Sequence, residues 1–464
     1  MVDFNSIKSE RKSEVFKGSI FTLSLWILFL SMTWSRLAAE GGKPAVKKEH
    51  KSLSAGQWSE PVLLEELNDS ANDIPATRPC LSKDGLTMYF MRDGRIMEAY
   101  RDAPSGPFTS ERAVTELDKG YGIWVSEDEL RLYYAHYEYA SVGRRIRLAT
   151  RNSKGELWQD VGTFTVIHKD GHGQIDTSPT LTADELTMFY ESNRTGIKQL
   201  WTATRASITD GAGNFTQFEN PTRVIELADD DEVWTPYIAP DGLTIYYGAI
   251  LYGDTTRNIY KATRPSFNDP FENIEKVGIS TDLYWEWMPY LTDDAKTLYF
   301  YSRRANDIRG IWVSHKIIQN VIVDIKPGSS RNPLNVKGKG MLPVAILGAE
   351  DFDVHSIMAV SIRLEGVAAL RQSYQDVAGP EGAGPDGFID LTLKFKTQDI
   401  VGTFGEVNHE DVLTLVIEGV LTDETAIEGS DEVTIVGKHK PLNQADINKD
   451  GIVDLADFAI ISKN

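Results

Sequence analysis

Apolar and polar positions alternate in one sentence that this chain writes five times: PCLSKDGLTMYF (Pro79–Phe90), IWVSEDELRLYY (Ile123–Tyr134), PTLTADELTMFY (Pro179–Tyr190), PYIAPDGLTIYY (Pro236–Tyr247) and PYLTDDAKTLYF (Pro289–Phe300). Each is a short apolar run, a polar corner carrying Asp, and a second run of aromatic and β-branched residues, which is the pattern of a β-hairpin. A third apolar run follows each hairpin, as in IMEAYRD, IRLATR, LWTATR, IYKATR and IWVSHK, and a more polar fourth segment opens the next unit. The corner acids Asp84, Asp128, Asp184, Asp241 and Asp294 recur at intervals of 44 to 57 residues. Four strands per unit at that period predict a β-propeller blade rather than a helical solenoid.

The corner acids have a structural explanation. Asp accepts a hydrogen bond from its own backbone two residues on, and a following Gly supplies the positive φ that tight turns demand. Only Asp84 and Asp241 precede Gly. The other three corners are therefore expected to use longer or different turns.

This wording resembles the WD40-like repeats of TolB-type β-propellers, in which P-x-L/I-S-x-D-G-x-x-L-Y-F marks the inner hairpin of each blade. The second unit departs, with Ile123 where the others place Pro. The resemblance implies a five-bladed ring over about residues 57–318, with Val62–Leu67 completing the last blade and so covering an open sheet edge.

Residues 319–437 are a different text. Short β-rich runs separated by Gly, Pro and Asp, with no helical period, predict a β-sandwich. The stretch resembles a module of large exported bacterial proteins in VDIKPGS (Val323–Ser329) and IEGSDEVTIV (Ile427–Val436). Asp386, Gly387 and Asp390 are read as a hairpin turn rather than a metal loop.

The tail, 438–464, holds the sharpest chemical pattern. Asp446, Asn448, Asp450, Ile452, Asp454 and Asp457 take positions 1, 3, 5, 7, 9 and 12 of a loop with Gly451 at position 6. Alternating oxygen donors around a Gly bend are what Ca²⁺ requires, position 7 giving only its carbonyl. Leu455, Phe458 and Ile461 then pattern an exiting helix, so the tail is predicted to be an EF-hand-like loop-helix. Asp at position 12 makes it similar to the dockerin type I loop, of which there is one copy here. That resemblance implies a cohesin-like partner protein or a cell-surface assembly.

Lys8, Arg11, Lys12 and Lys17, the apolar run Ile20–Trp34 and the small residues before Glu40 predict a signal peptide over 1–39, or an anchor if it stays uncleaved. Residues 40–56 read as a flexible leader. The fold class expected is thus all-β, and the location exported. A formal net charge of −20 argues against nucleic acid as a partner. The single cysteine, Cys80, lies on an apolar run and is read as a buried, inert thiol.

Candidate chemistry falls where the inner strands begin. Asp73, Asp176, Glu232 and Glu286, with Trp234, Trp285 and Trp287 beside them, would suit a glycan or protein ligand at the mouth of the propeller channel. The alternative is a polysaccharide-active enzyme of glycoside hydrolase type, with two of these carboxylates in catalytic roles. G-x-S-x-G and H-E-x-x-H motifs do not occur, which leaves the serine-hydrolase and zinc-protease readings without support. His136, His168 and His172 lack ligand spacing and are expected at the surface.

Overall fold

The computed structural model describes residues 54–55 and 58–439, apart from 69–73, 118–119, 138–142, 170–172, 228–231, 252, 282, 305–306, 330, 380–383 and 424. The signal segment, nearly all of the leader, Asp73, His172 and the calcium loop from Asp446 to Asp457 lie outside these residues.

The five hairpins form the inner halves of five antiparallel sheets. The first runs Thr77–Leu81, Thr87–Arg92, Arg95–Tyr100, Ser110–Ala113, and the second Gly120–Val125, Arg131–Tyr137, Arg144–Thr150, Gln159–Thr163. The third is Asp176–Leu181, Thr187–Ser192, Gln199–Thr204, Glu219–Arg223, and the fourth Val233–Ile238, Thr244–Ala249, Asn258–Thr263, Glu272–Val277. The fifth is Glu286–Leu291, Thr297–Arg304 and Ile308–His315, and its fourth strand is Val62–Leu63, registered on Val313 and Trp312. Val62–Leu63 thus pairs with the last sheet, where the resemblance to TolB-type propellers placed Val62–Leu67. Ser54–Ala55, expected within the leader, pairs in parallel with Lys276–Val277 of the fourth sheet.

All five corners adopt one turn. Each Asp carboxylate accepts the backbone N–H two residues on, at 2.8 to 3.0 Å. Four also bind a Ser or Thr hydroxyl two residues back, at 2.6 Å. The next residue has positive φ in every copy: Gly85 72°, Glu129 57°, Glu185 58°, Gly242 67° and Ala295 55°. The expectation of different turns where Gly is missing is therefore corrected. The Glu129 and Glu185 side chains, 2% and 3% exposed, are bound by neighbouring sheets and so help to hold the strained conformation.

Those bonds repeat from sheet to sheet. Tyr89 donates to Glu129 at 2.7 Å and Tyr133 to Glu185 at 2.6 Å. Arg101, Arg151, Arg205 and Arg264, which end the third strands, donate through Nε to the carbonyls of Gly85, Glu129, Glu185 and Gly242 at 2.6 to 2.9 Å. Each guanidinium also lies 4.2 to 4.7 Å from an aromatic ring of the fourth segment: Phe108, Trp158, Phe218 or Phe271. In the fifth unit Lys316 stands in the Arg place, and its backbone bridges Trp58.

The inner strands share a further device. Register slips at Thr77/Cys80, Tyr121/Ile123, Thr177/Thr180, Trp234/Tyr237 and Trp287/Tyr290. At each slip one residue has positive φ: Arg78, Gly122, Ser178, Thr235 and Met288, between 45° and 62°. These are β-bulges, and a bulge tolerates the following Pro because that residue need not donate to the ladder. The five bulges line one narrow cavity of about 40 Å³. Sheets that each send an inner strand to a common axis make this part of the molecule a β-propeller.

After Ile318 the chain forms two further sheets. One is the antiparallel run Val323–Ile325, Met341–Ile346, Asp390–Lys396, Arg371–Gln375. The other centres on the long pair Val412–Val420 and Ala426–Val436. Their inward residues, among them Ile325, Val344, Leu393, Phe395, Ile417 and Ile435, make one core. Asp390 is buried and accepts backbone N–H groups from Gly348, Val377 and Ala378, at 3.0, 2.8 and 3.2 Å. Its role is to fasten that loop.

Candidate ligand-binding site at the channel mouth

At its turn end the axis carries a small cavity of about 40 Å³, lined from all five inner hairpins by residues that include Lys83, Glu127, Ala183, Pro240 and Asp293. The Tyr237 and Tyr290 rings lie 4.9 Å apart, and their hydroxyls donate to the carbonyls of Leu291 and Leu81 at 2.5 and 2.7 Å. The candidates singled out in the sequence lie at the other end, where the inner strands begin.

There the candidates divide by position along the strand. Asp176 pairs in register with Ser192, and Glu286 with Ser302. Both side chains are buried, 1% and 0% exposed, within the sheets. Asp176 accepts from His168 Nδ1 and from Arg194 Nη2, each at 2.9 Å. Burial opposes its charge, but the bonds from His168 and Ser192 and the Arg194 cation outweigh burial and hold its carboxyl below the usual range. Glu286 meets Arg304 Nη2 at 2.6 Å and accepts the Thr281 N–H at 3.1 Å. Burial pushes its carboxyl up to about 7, although Arg304 pulls the other way. Neither acid joins the mouth, and His168, expected at the surface, is an interior partner of Asp176. The alternation of strand side chains turns these positions into the sheet, one residue before those that face the mouth.

The next residues on two of these strands, Trp234 and Trp287, do come together. They meet with Trp285 around a cation that the sequence reading did not single out. The Arg257 guanidinium carbon is 4.5 Å from the Trp234 ring centroid and 5.0 Å from those of Trp285 and Trp287. Trp287 also packs on Tyr301 at 4.6 Å, and Arg303 lies 5.4 Å from Trp285. Trp285 is 40% exposed and forms the open wall, whereas Trp234 is buried. Glu232 is exposed and within electrostatic reach of Arg257. A sequence signal for Arg257 existed: the residue two places before the third strand's apolar run is basic in four of five units, as Arg144, Lys198, Arg257 and Arg309.

The same mouth contains Arg78, the only charged residue among the five bulges. Its Nη1 donates to Ser178 Oγ at 2.5 Å. Arg144 stands nearby, 4.0 Å from the Tyr121 ring. Among the described residues no group of three or more His, Cys, Asp or Glu side chains converges as a metal site. No helix among them is long and apolar enough to cross a membrane.

A larger cavity, about 690 Å³, opens at the turn end of the fourth and fifth sheets against Met358 and Val420. Its walls include Trp58, Tyr246, the Lys261–Glu275 ion pair at 3.0 Å, and Lys316, whose pKa is pushed down by burial and by Lys261.

No protein-family profile matches the chain, and no curated protein does. Similar solved structures include a putative TolB from Agrobacterium tumefaciens, 16% identical, over 50% of this chain and 71% of that one, with a TM-score of 0.34. TolB from Acinetobacter baumannii is 11% identical over 65% of this chain and 59% of its own, with a TM-score of 0.31. A GH43 endo-arabinanase from Bacillus licheniformis is 14% identical over 53% and 94%, with a TM-score of 0.37.

Proposed function

We propose that the chain is an exported, non-catalytic protein whose five-bladed propeller binds a glycan or protein ligand at the channel mouth. In this reading residues 57–318 are the propeller, 319–437 a β-sandwich spacer, and 438–464 a calcium-binding, dockerin-like tail for attachment to a partner or cell-surface assembly. The observation that carries it is the convergence of Trp234, Trp285 and Trp287 on Arg257 beside an exposed Trp285 face. Aromatic rings held rigid by neighbours offer stacking area at little entropic cost. Support for five blades comes from the five equivalent bulges around one cavity and from Val62–Leu63 pairing with the last sheet. Support for the sandwich is the single core between the two C-terminal sheets.

The competing reading is a glycoside hydrolase. One observation favours it: a carboxyl raised to about 7, as Glu286 is, suits a general acid. Against it, Glu286 is wholly buried on Arg304, and Asp176 is committed to His168 and Arg194. A glycosidic bond needs two carboxyl groups flanking it. A glycan array with a hydrolysis screen on the purified protein tests both readings. Binding without product is expected, and release of sugar from any polysaccharide overturns the non-catalytic reading. For the tail, calcium titration should increase helix content in the wild type and not in Asp446→Ala.

A further inference from the structure

Among the described residues, one guanidinium at the channel mouth lacks the partners that such groups ordinarily have. Arg257 Nε is buried without a hydrogen-bond acceptor, and the carboxylates that influence it, Glu232 and Glu191, act from a distance. Arg78 uses one of its N–H groups, on Ser178 Oγ. Burial works against the charge of both, Glu191 partly offsets it for both, and a second cation opposes each: Arg144 for Arg78, Arg303 for Arg257. Glu191 is itself engaged, with Lys198 at 2.9 Å and the Thr235 N–H at 3.3 Å. Arg303 and Arg309 share Asp307, at 3.5 and 3.0 Å. Among the described residues no carboxylate is paired with Arg257.

Buried polar groups in native proteins are nearly always satisfied, so donors left open and fixed in place call for an acceptor from outside. We infer that the ligand of this mouth is an acidic glycan, whose carboxylate or sulfate is taken by Arg257 while a sugar ring rests on Trp285. A guanidinium fork matches either anion bidentately, and stacking on tryptophan faces holds Arg257 in position to offer it. The inference rests on the glycan form of the reading above.

The test uses the full chain and three probes: hexuronic acid oligomers, the same oligomers with every carboxyl reduced to the alcohol, and a sulfated glycan oligomer. The acidic or the sulfated probe should bind at least about tenfold more tightly than the reduced one, the scale of one charged hydrogen bond. That gap should close in Arg257→Gln and in high salt. Trp285→Ala should weaken all glycan binding. Equal binding of acidic, sulfated and reduced probes overturns this inference and leaves glycan recognition standing. Binding of none of the three, or of polyglutamate alone, overturns glycan recognition itself. The comparison of native with reduced oligomer needs no variant, so misfolding of a mutant does not obscure it.

Discussion

Tyr89 of the first sheet donates its phenolic hydrogen to Glu129 of the second, 2.7 Å away, and the recipient sits at a turn with φ of 57°. The same carboxylate faces Arg151 at 3.7 Å and meets Lys154. A corner residue thus becomes a clasp between sheets, which accounts for Glu where the turn itself would favour Gly. Tyr89→Phe should lower unfolding free energy by about 1–3 kcal/mol, since the bond reaches a buried charged acceptor. Chemical denaturation measures it; an unchanged midpoint and slope would mean the clasp contributes nothing.

Gly122 faces the axis at φ of 59°, and a Cβ there would stand 2.6 Å from the Ser178 Cα. Backbone cannot yield as a side chain can. Gly122→Ala should therefore cost about 2–4 kcal/mol, combining left-handed strain with overpacking. Gly155→Ala, with open space around its Cβ, is the control and should stay within about 0.5 kcal/mol. Equal melting temperatures for the two variants would contradict the narrow axis.

Glu286 gives stability a pH dependence of defined sign. Its folded carboxyl is raised to about 7 from 4.5, chiefly by burial, so the folded state holds the proton more tightly than the unfolded one. The contribution is fully present below pH 4.5 and is lost as pH rises through about 7. Stability of the wild type relative to Glu286→Gln should fall by up to about 3 kcal/mol across that window. A difference that stays flat, or grows with pH, would show that Arg304 rather than burial governs the site.

Cys80, 3% exposed, has its thiol pushed up to about 12 by burial. Thiolate is the reactive form, so a maleimide or disulfide reagent should label the native protein hardly at all at pH 8 and fully once it unfolds. Labelling should follow the denaturation curve. Rapid reaction in buffer would place Cys80 outside the core.

The repeated hairpin was legible because its causes are local: two-residue alternation, an Asp that caps its own corner, and a polar fourth segment. Those same features marked where each inner strand begins, and with it the region of Trp234, Trp285 and Trp287. The calcium-ligand spacing from Asp446 to Asp457 is likewise a property of consecutive residues, although it lies outside the described ones. Tertiary structure decided the rest. Asp176 and Glu286 are one residue away from the mouth-facing positions, and strand alternation sends them inward to Arg194 and Arg304. Glu129 and Glu185, at glycine-like turns, are tied to the preceding sheet by Tyr89 and Tyr133, which no pattern in their own hairpins announces. Arg257 reads in isolation as one more basic residue before a strand; three tryptophans from two strands and a loop make it the centre of the site. A linear pattern states which way a side chain alternates, and only the packing of sheet against sheet states what it meets there.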